Sequence, residues 1–257
     1  INMKVFLIRL LLVIVVLLVI IYSIFPYFII NLFGLVNSTK NKESIDVVIA
    51  HYKEDLKWVD NLPDNCRIFI YTKSDQKPNC KRQYFHEYLP NLGRCDATYL
   101  YHVIKNYHRP HNENILFLPG SCDIFYKQFS LYLLLHNTGK HDFNNCITTN
   151  NVIFKSINDM RLNYFIKNGY CSSHKSNQHK DCTLIVSKFK NVNEFKQYFD
   201  LNLDYVTYWG MNMIKSKLIY NRSKEFYVQL YNTLNDGDNV LNGHFTERSW
   251  YSIFTCR

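Results

Sequence analysis

The sequence predicts an α/β fold: one globular domain carried behind a single N-terminal membrane anchor. Three observations lead there. Residues 10–30 form a run of 21 without a charge. Two β-branched apolar runs, 45–50 and 67–72, follow it, with a helical pattern between them. That strand–helix–strand opening has the length of a compact βαβ unit, and βαβ units build parallel sheets.

The anchor is argued from length and flanks. At about 1.5 Å per residue, a helix over 10–30 spans about 30 Å, the hydrocarbon thickness of a bilayer. Lys4 and Arg9 precede it. A cleavable signal peptide has a shorter apolar core and a small-residue cleavage site. Here residues 22–30 offer no such site, so residues 1–30 read as an uncleaved signal-anchor rather than an amphipathic core helix. The positive-inside rule places Lys4 and Arg9 in the cytosol, although Lys40 and Lys42 on the other flank weaken the bias. The expectation is a single-pass, type II membrane protein, with its domain in the ER/Golgi lumen or on the exterior face. The sequons Asn37-Ser38-Thr39 and Asn221-Arg222-Ser223 would be glycan acceptors there.

The chain of 257 residues suits this anchor, a polar tether over 31–44 and one domain over 45–257. A hydrophobic content of 47% and an aromatic content of 16% exclude a disordered chain. The formal net charge is +9, and Lys4 and Arg9 account for two of those charges. A domain this basic suits a nucleotide diphosphate, an acidic glycan or an anionic surface, or is simply a solvated basic face. No basic run interleaved with aromatics is present, so nucleic acid is not an expected partner. Of the eight cysteines, some would pair in a lumenal domain.

Along the domain, 45–50 reads as a buried strand and 55–62 as a short helix, with Leu56, Val59 and Leu62 in phase and Pro63 ending it. Residues 67–72 and 115–118 read as the next buried strands. A loop over 90–94 leads to a helix over 96–107, with Asp96 as its N-cap. Helices are expected over 127–137, 158–168, 223–234 and 244–254. A polar loop is expected over 168–181 and extended chain over 206–219.

Five constellations could carry chemistry. His51, Glu54 and Asp55, with Trp58, stand at the carboxyl end of the first strand, where open α/β sheets bind ligands. Equally, Glu54 and Asp55 merely charge the first turn of a helix. Asn91 and Arg94 flank Gly93, and Arg94 suits a phosphate or is a plain loop arginine. Asp123, past the Pro119-Gly120 break, is the candidate ligand for a divalent metal, Mn or Mg. The one literal D-x-D, Asp236-Gly237-Asp238, reads as an exposed turn. His244 and Glu247 share a helical face with Trp250 and suit a base or a metal contact, or a helix surface with Trp250 as core. Cys171, His174, His179 and Cys182 could hold a structural zinc; in a lumenal domain a Cys171–Cys182 disulfide is the better reading.

In order, the chain contains His51-Tyr52-Lys53-Glu54-Asp55-Leu56-Lys57-Trp58, Tyr71-Thr72-Lys73, Leu89-Pro90-Asn91-Leu92-Gly93-Arg94, Tyr99-Leu100-Tyr101-His102-Val103-Ile104, Phe117-Leu118-Pro119-Gly120, and Gly243-His244-Phe245-Thr246-Glu247-Arg248-Ser249-Trp250-Tyr251-Ser252-Ile253-Phe254. Taken together these resemble a domain family of uncharacterised function found in fungi, algae and large viruses. Its pattern runs H-Y-x-E-D-L-x-W, Y-x-K, L-P-N-x-G-R-E, Y-L-x-H-I, F-L-x-G, G-H-x-x-E-R-x-W-x-x-I-F. The resemblance covers nearly all of residues 46–254. Cys95 departs from it, where the family has an acid after the arginine, and so does Ser121-Cys122-Asp123 after Gly120.

The family's layout looks like that of a Rossmann-like, glycosyltransferase A-type domain. The resemblance therefore implies a membrane-anchored, glycosyltransferase-like enzyme that moves a sugar from a nucleotide-sugar donor to a glycan or protein acceptor. On that reading His51, Glu54, Asp55, Asn91 and Arg94 line the nucleotide pocket, Asp123 holds the metal, and Glu247 with His244 serves the acceptor. The rival is a non-catalytic, anchored carbohydrate- or partner-binding protein, motivated by Cys95 and the lack of a D-x-D site.

Overall fold

A computed structural model describes residues 13–15, 43–145, 188–189, 192–202 and 207–256. The anchor expected over 10–30, apart from 13–15, lies outside the described residues. So do most of the tether, the helix expected over 158–168, the loop over 168–181 and the Cys171, His174, His179, Cys182 set. Among the described residues no helix is long and apolar enough to cross a membrane.

The domain is α/β, built on a six-stranded sheet of order β3-β2-β1-β4-β6-β5. The strands are β1 (Ile45–His51), β2 (Cys66–Thr72), β3 (Phe85–Tyr88), β4 (Asn114–Pro119), β5 (Phe143–Asn145) and β6 (Asn212–Lys215). Strands β1 to β4 run parallel, in the register Val48↔Phe69 and Val48↔Phe117 about β1. Strand β6 is antiparallel to β4, and β5 antiparallel to β6, so the expected parallel sheet is mixed at this edge.

The helices are α1 (Arg94–Asn106), α2 (Phe125–His136), α3 (Val192–Phe199), α4 (Lys224–Asn232) and α5 (Leu241–Thr255). They form layers on both faces of the sheet, and the strands' period of two explains why. Val48, Ala50, Ile115, Phe117 and Ile214 point into one core with α1, α3, α4 and α5. Ile45, Val47, Ile49, Leu116, Leu118 and Met213 point into the other, with Leu131, Leu134 and Leu135 of α2. Buried on both sides, such strands read as continuous apolar runs. Helix α5 is held under β4 by near-parallel rings: Phe117 lies 6.1 Å from Trp250 and 6.0 Å from Phe254.

Some sequence expectations are corrected. The helix expected over 55–62 is a 3-10 helix, Lys57–Asn61. The Asp55 carboxylate accepts the Lys57 amide and the Asn79 side chain, while Asn79 Oδ1 accepts the Leu56 amide. These side-chain bonds compete with α-helical pairing. Asp96 is not an N-cap: α1 starts at Arg94 behind Gly93, whose φ of 58° is left-handed, and the Asp96 side chain is fully buried. Of the chain expected to be extended over 206–219, only Asn212–Lys215 is strand among the described residues 207–219; Ser216–Asn221 is 3-10 helix.

Candidate functional site

The parallel strands end on one edge of the sheet; from β1 the chain passes to β2 on one side, and α1, on the other face of the sheet, returns it to β4 on the other side of β1. A doubly wound sheet opens a crevice at such a switch point. Here it is a cleft of about 400 Å³. His51 closes β1, Lys73 follows β2, Pro119 closes β4 and Ser121 lies just beyond it. Asn91, Arg94 and Cys95 come from the loop into α1; Tyr126 and Lys127 come from α2. Trp209 and Glu247 complete the wall.

The β1 turn is organised by His51. Its Nε2–H donates to the Glu54 carbonyl at 3.2 Å, so Nδ1 accepts from Thr72 Oγ1 at 3.1 Å. Thr72 Oγ1 in turn accepts from His86 Nε2 at 2.9 Å. Burial, against a smaller opposing effect of Glu54, holds the His51 imidazole below its usual range, so it sits neutral in this chain. Glu54 Oε2 accepts the amides of Tyr52 and Lys53 at 2.7 and 3.1 Å. Gly120 makes room for it: a Cβ there would lie 2.6 Å from that oxygen.

On the opposite wall, the Gly93 and Arg94 amides donate to the carbonyls of Gly237 and Asp238 at 2.7 and 3.2 Å. The Asp236-Gly237-Asp238 turn therefore positions the arginine loop through its backbone, while both of its carboxylates are exposed. The Arg94 guanidinium lies 3.8 Å from Glu247 and donates to His244 Nδ1 at 2.6 Å. His244 Nε2 faces Asn239 Oδ1 at 3.1 Å, which fixes the Nε2–H tautomer. Burial, then Arg94 and Arg248, push the His244 imidazole far below its usual range. In this geometry it accepts from Arg94. Glu247 also lies 3.4 Å from Arg248 Nη1.

The structure thus brings five expected residues together in one cleft: His51, Glu54, Asn91, Arg94 and Glu247. His244 stands behind Arg94 without lining the cleft. Asp55 and Asp123 are placed elsewhere, in a separate cavity of about 250 Å³ with Trp58 and Cys122. Partial burial, then Glu54 and Asp55, push the Asp123 carboxyl up. Among the described residues no three His, Cys, Asp or Glu side chains converge on a metal-sized site. Beside Asp123, Glu54 Oε2 accepts two backbone amides, and Asp55 accepts the Lys57 amide and the Asn79 side chain and pairs with the Lys57 ammonium, so these oxygens are turned to protein donors. Cys95, standing where the family pattern has an acid, is a thiol that burial, then Asp96, push further from ionisation.

Lys73, Lys127, Tyr126 and Trp209 were not among the expected site residues. Lys73 had a signal, since it directly follows a strand that ends at the ligand-binding edge. Lys127 lies in an unremarkable helical pattern, and Trp209 gains its place from a left-handed residue, φ 69°, that the sequence does not announce.

The fold and cleft define an α/β protein with a cationic, aromatic-rimmed cleft at the carboxyl edge of its sheet. Comparison with protein-family models, with curated proteins and with solved structures finds no match for this chain.

Proposed function

We propose that this chain is a membrane-anchored transferase of the A-type nucleotide-sugar class, moving a sugar from a nucleoside-diphosphate donor to a glycan or protein hydroxyl. The observation that carries the reading is the cleft at the β1/β4 switch point. It sets a carboxylate, Glu247, against Arg94 and opposite the β1 turn, with Lys73 and Lys127 in its walls. The strand order 3-2-1-4 of the parallel half supports a Rossmann-like nucleotide half.

In the reaction, the acceptor hydroxyl attacks the anomeric carbon and its proton passes to the Glu247 carboxylate. The bond from that carbon to the diphosphate oxygen breaks, and the electron pair leaves with the nucleoside diphosphate. Arg94 and the lysines stabilise the charge that develops there. His244 keeps the guanidinium in place by accepting from it.

Glu247→Gln tests the assignment. Transfer should fall about 10²- to 10⁴-fold, while donor affinity stays within about threefold, because Gln keeps the shape of the wall. Unchanged transfer would remove Glu247 from the role of base. The anchor and the lumenal or exterior placement belong to the same proposal. Carbonate extraction should leave the full chain in the membrane pellet, and release into the supernatant would contradict the anchor. In the structure the Asn221 side-chain amide donates to the Phe254 carbonyl at 2.7 Å, so a glycan on this sequon would leave one N–H for that bond.

A further inference from the structure

Two lysines that line the cleft stand without a carboxylate against them. Lys73 is 9% exposed, and its Nζ donates to the Leu92 carbonyl at 2.5 Å and to the Arg94 carbonyl. Lys127 Nζ, on the α2 wall, donates to Ser121 Oγ at 2.5 Å. Among the described ion pairs neither lysine has a carboxylate partner. The two acids that line the cleft are already engaged. Glu54 accepts two backbone amides, and Glu247 faces two guanidinium groups. An ammonium buried against neutral carbonyls is costly unless a counter-charge joins it. The cleft between the lysines is where that counter-charge fits.

We propose that Lys73, Lys127 and Arg94 bind the donor's diphosphate directly, so that a nucleoside diphosphate occupies this cleft without a divalent metal. This rests on the nucleotide-sugar reading and replaces the metal expected at Asp123. A hard divalent cation needs several oxygen ligands at once, and the cleft offers no such set. It offers instead the Arg94 guanidinium, whose N–H groups beyond those turned to His244 and Glu247 suit a phosphate oxygen, and two lysines in its lining. The same cations disfavour a divalent ion between them.

The test is calorimetric titration of the full chain in detergent with uridine and guanosine diphosphates and with inorganic pyrophosphate, in EDTA and again in manganese. At least one nucleoside diphosphate should bind in EDTA, with an affinity within about threefold of that in manganese. Lys73→Gln and Lys127→Gln should each weaken it by about tenfold or more, the scale of one lost charged hydrogen bond, with circular dichroism unchanged. Pyrophosphate should compete for the same site. Binding that requires manganese would overturn the metal-free site and leave the nucleotide reading standing. A folded chain that binds no diphosphate under either condition would overturn both.

Discussion

The indole Nε1–H of Trp250 donates to Asp96 Oδ1 at 2.8 Å, joining α5 to α1 across 154 residues of sequence inside a fully buried contact. This bond locks the helix that carries Glu247 to the helix that begins at Arg94, so it fixes the geometry of the cleft wall. Burial, then the Glu247 charge, raise the Asp96 carboxyl above the usual range. A carboxyl raised in the folded state loses stability as pH climbs above its unfolded value of about 3.9. Asp96→Asn keeps the acceptor oxygen and removes that loss. It should raise Tm at pH 8 by about 3 °C, with the gain vanishing at pH 4. A variant that melts lower than the parent at pH 8 would show that the charge itself is needed.

Asp46, at the opposite end of β1, behaves in the reverse sense. It is fully buried and receives two hydrogen bonds from Arg67, at 2.7 and 2.8 Å. Burial would raise its carboxyl, but hydrogen bonds from His111, Arg67 and the Asn112 amide outweigh burial and hold it below the usual range. The stabilisation is therefore present above pH of about 4 and lost as pH falls through the lowered value. Arg67→Ala should cost about 3 kcal/mol at neutral pH, the low end for breaking a buried pair because the Arg67 side chain is 40% exposed. Urea unfolding at pH 7 and pH 3 checks this, and the gap between parent and variant should shrink at the lower pH.

Gly93 is required by its backbone and by its neighbour. At φ 58° an added Cβ would lie 2.6 Å from Leu234 Cβ and 2.9 Å from the Leu234 carbonyl. Backbone cannot yield as a side-chain tip can, so Gly93→Ala should destabilise the chain by about 2 kcal/mol. It should also weaken diphosphate binding by displacing Arg94. Stability within a few tenths of a kcal/mol of the parent would mean that the loop adapts.

Burial pushes the Lys73 ammonium down to about 8, against smaller opposing effects of Cys95 and Asp96. A lysine lowered in the folded state costs stability while it is charged in both states. That cost is relieved as pH rises from about 8 toward the unfolded value of about 10.4. Relative to Lys73→Gln, the parent should therefore gain stability between pH 8 and pH 10. Diphosphate affinity should move the other way and fall above pH 8, as the ammonium is lost. Affinity that holds constant through pH 9.5 would remove Lys73 from the anion site.

How much of this was legible in the sequence depended on the range of the interactions. Strands β1, β2 and β4 were legible because burial on both faces forces continuous apolar runs. Strand β3, Phe85-His86-Glu87-Tyr88, is a largely exposed edge strand with no such run, and β5 is three residues long. Asp96 was misread because an acid at the start of a helix looks like a cap until its true partner, Trp250, arrives from the far end of the chain. His51, Glu54, Asn91, Arg94 and Glu247 were found by residue type and by position at strand ends. Lys73 has the same position, in the Tyr71-Thr72-Lys73 segment, without a place among the expected site residues. Asp55 shares that sequence position, but its Oδ1 accepts the Lys57 amide and the Asn79 side chain.

The central claim is that the cleft binds a nucleoside diphosphate, and one titration addresses it most directly. Of the three tryptophans, Trp209 at the cleft rim is 42% exposed, whereas Trp58 and Trp250 are 9% and 1% exposed. Tryptophan emission of the full chain in detergent therefore reports on the cleft, with Trp209→Phe as the control. The account predicts a saturable change with one nucleoside diphosphate or its sugar, in EDTA, absent in Trp209→Phe and weakened in Lys73→Gln. A folded chain that shows no change in emission and no shift in Tm with any nucleotide, with or without manganese, would contradict it.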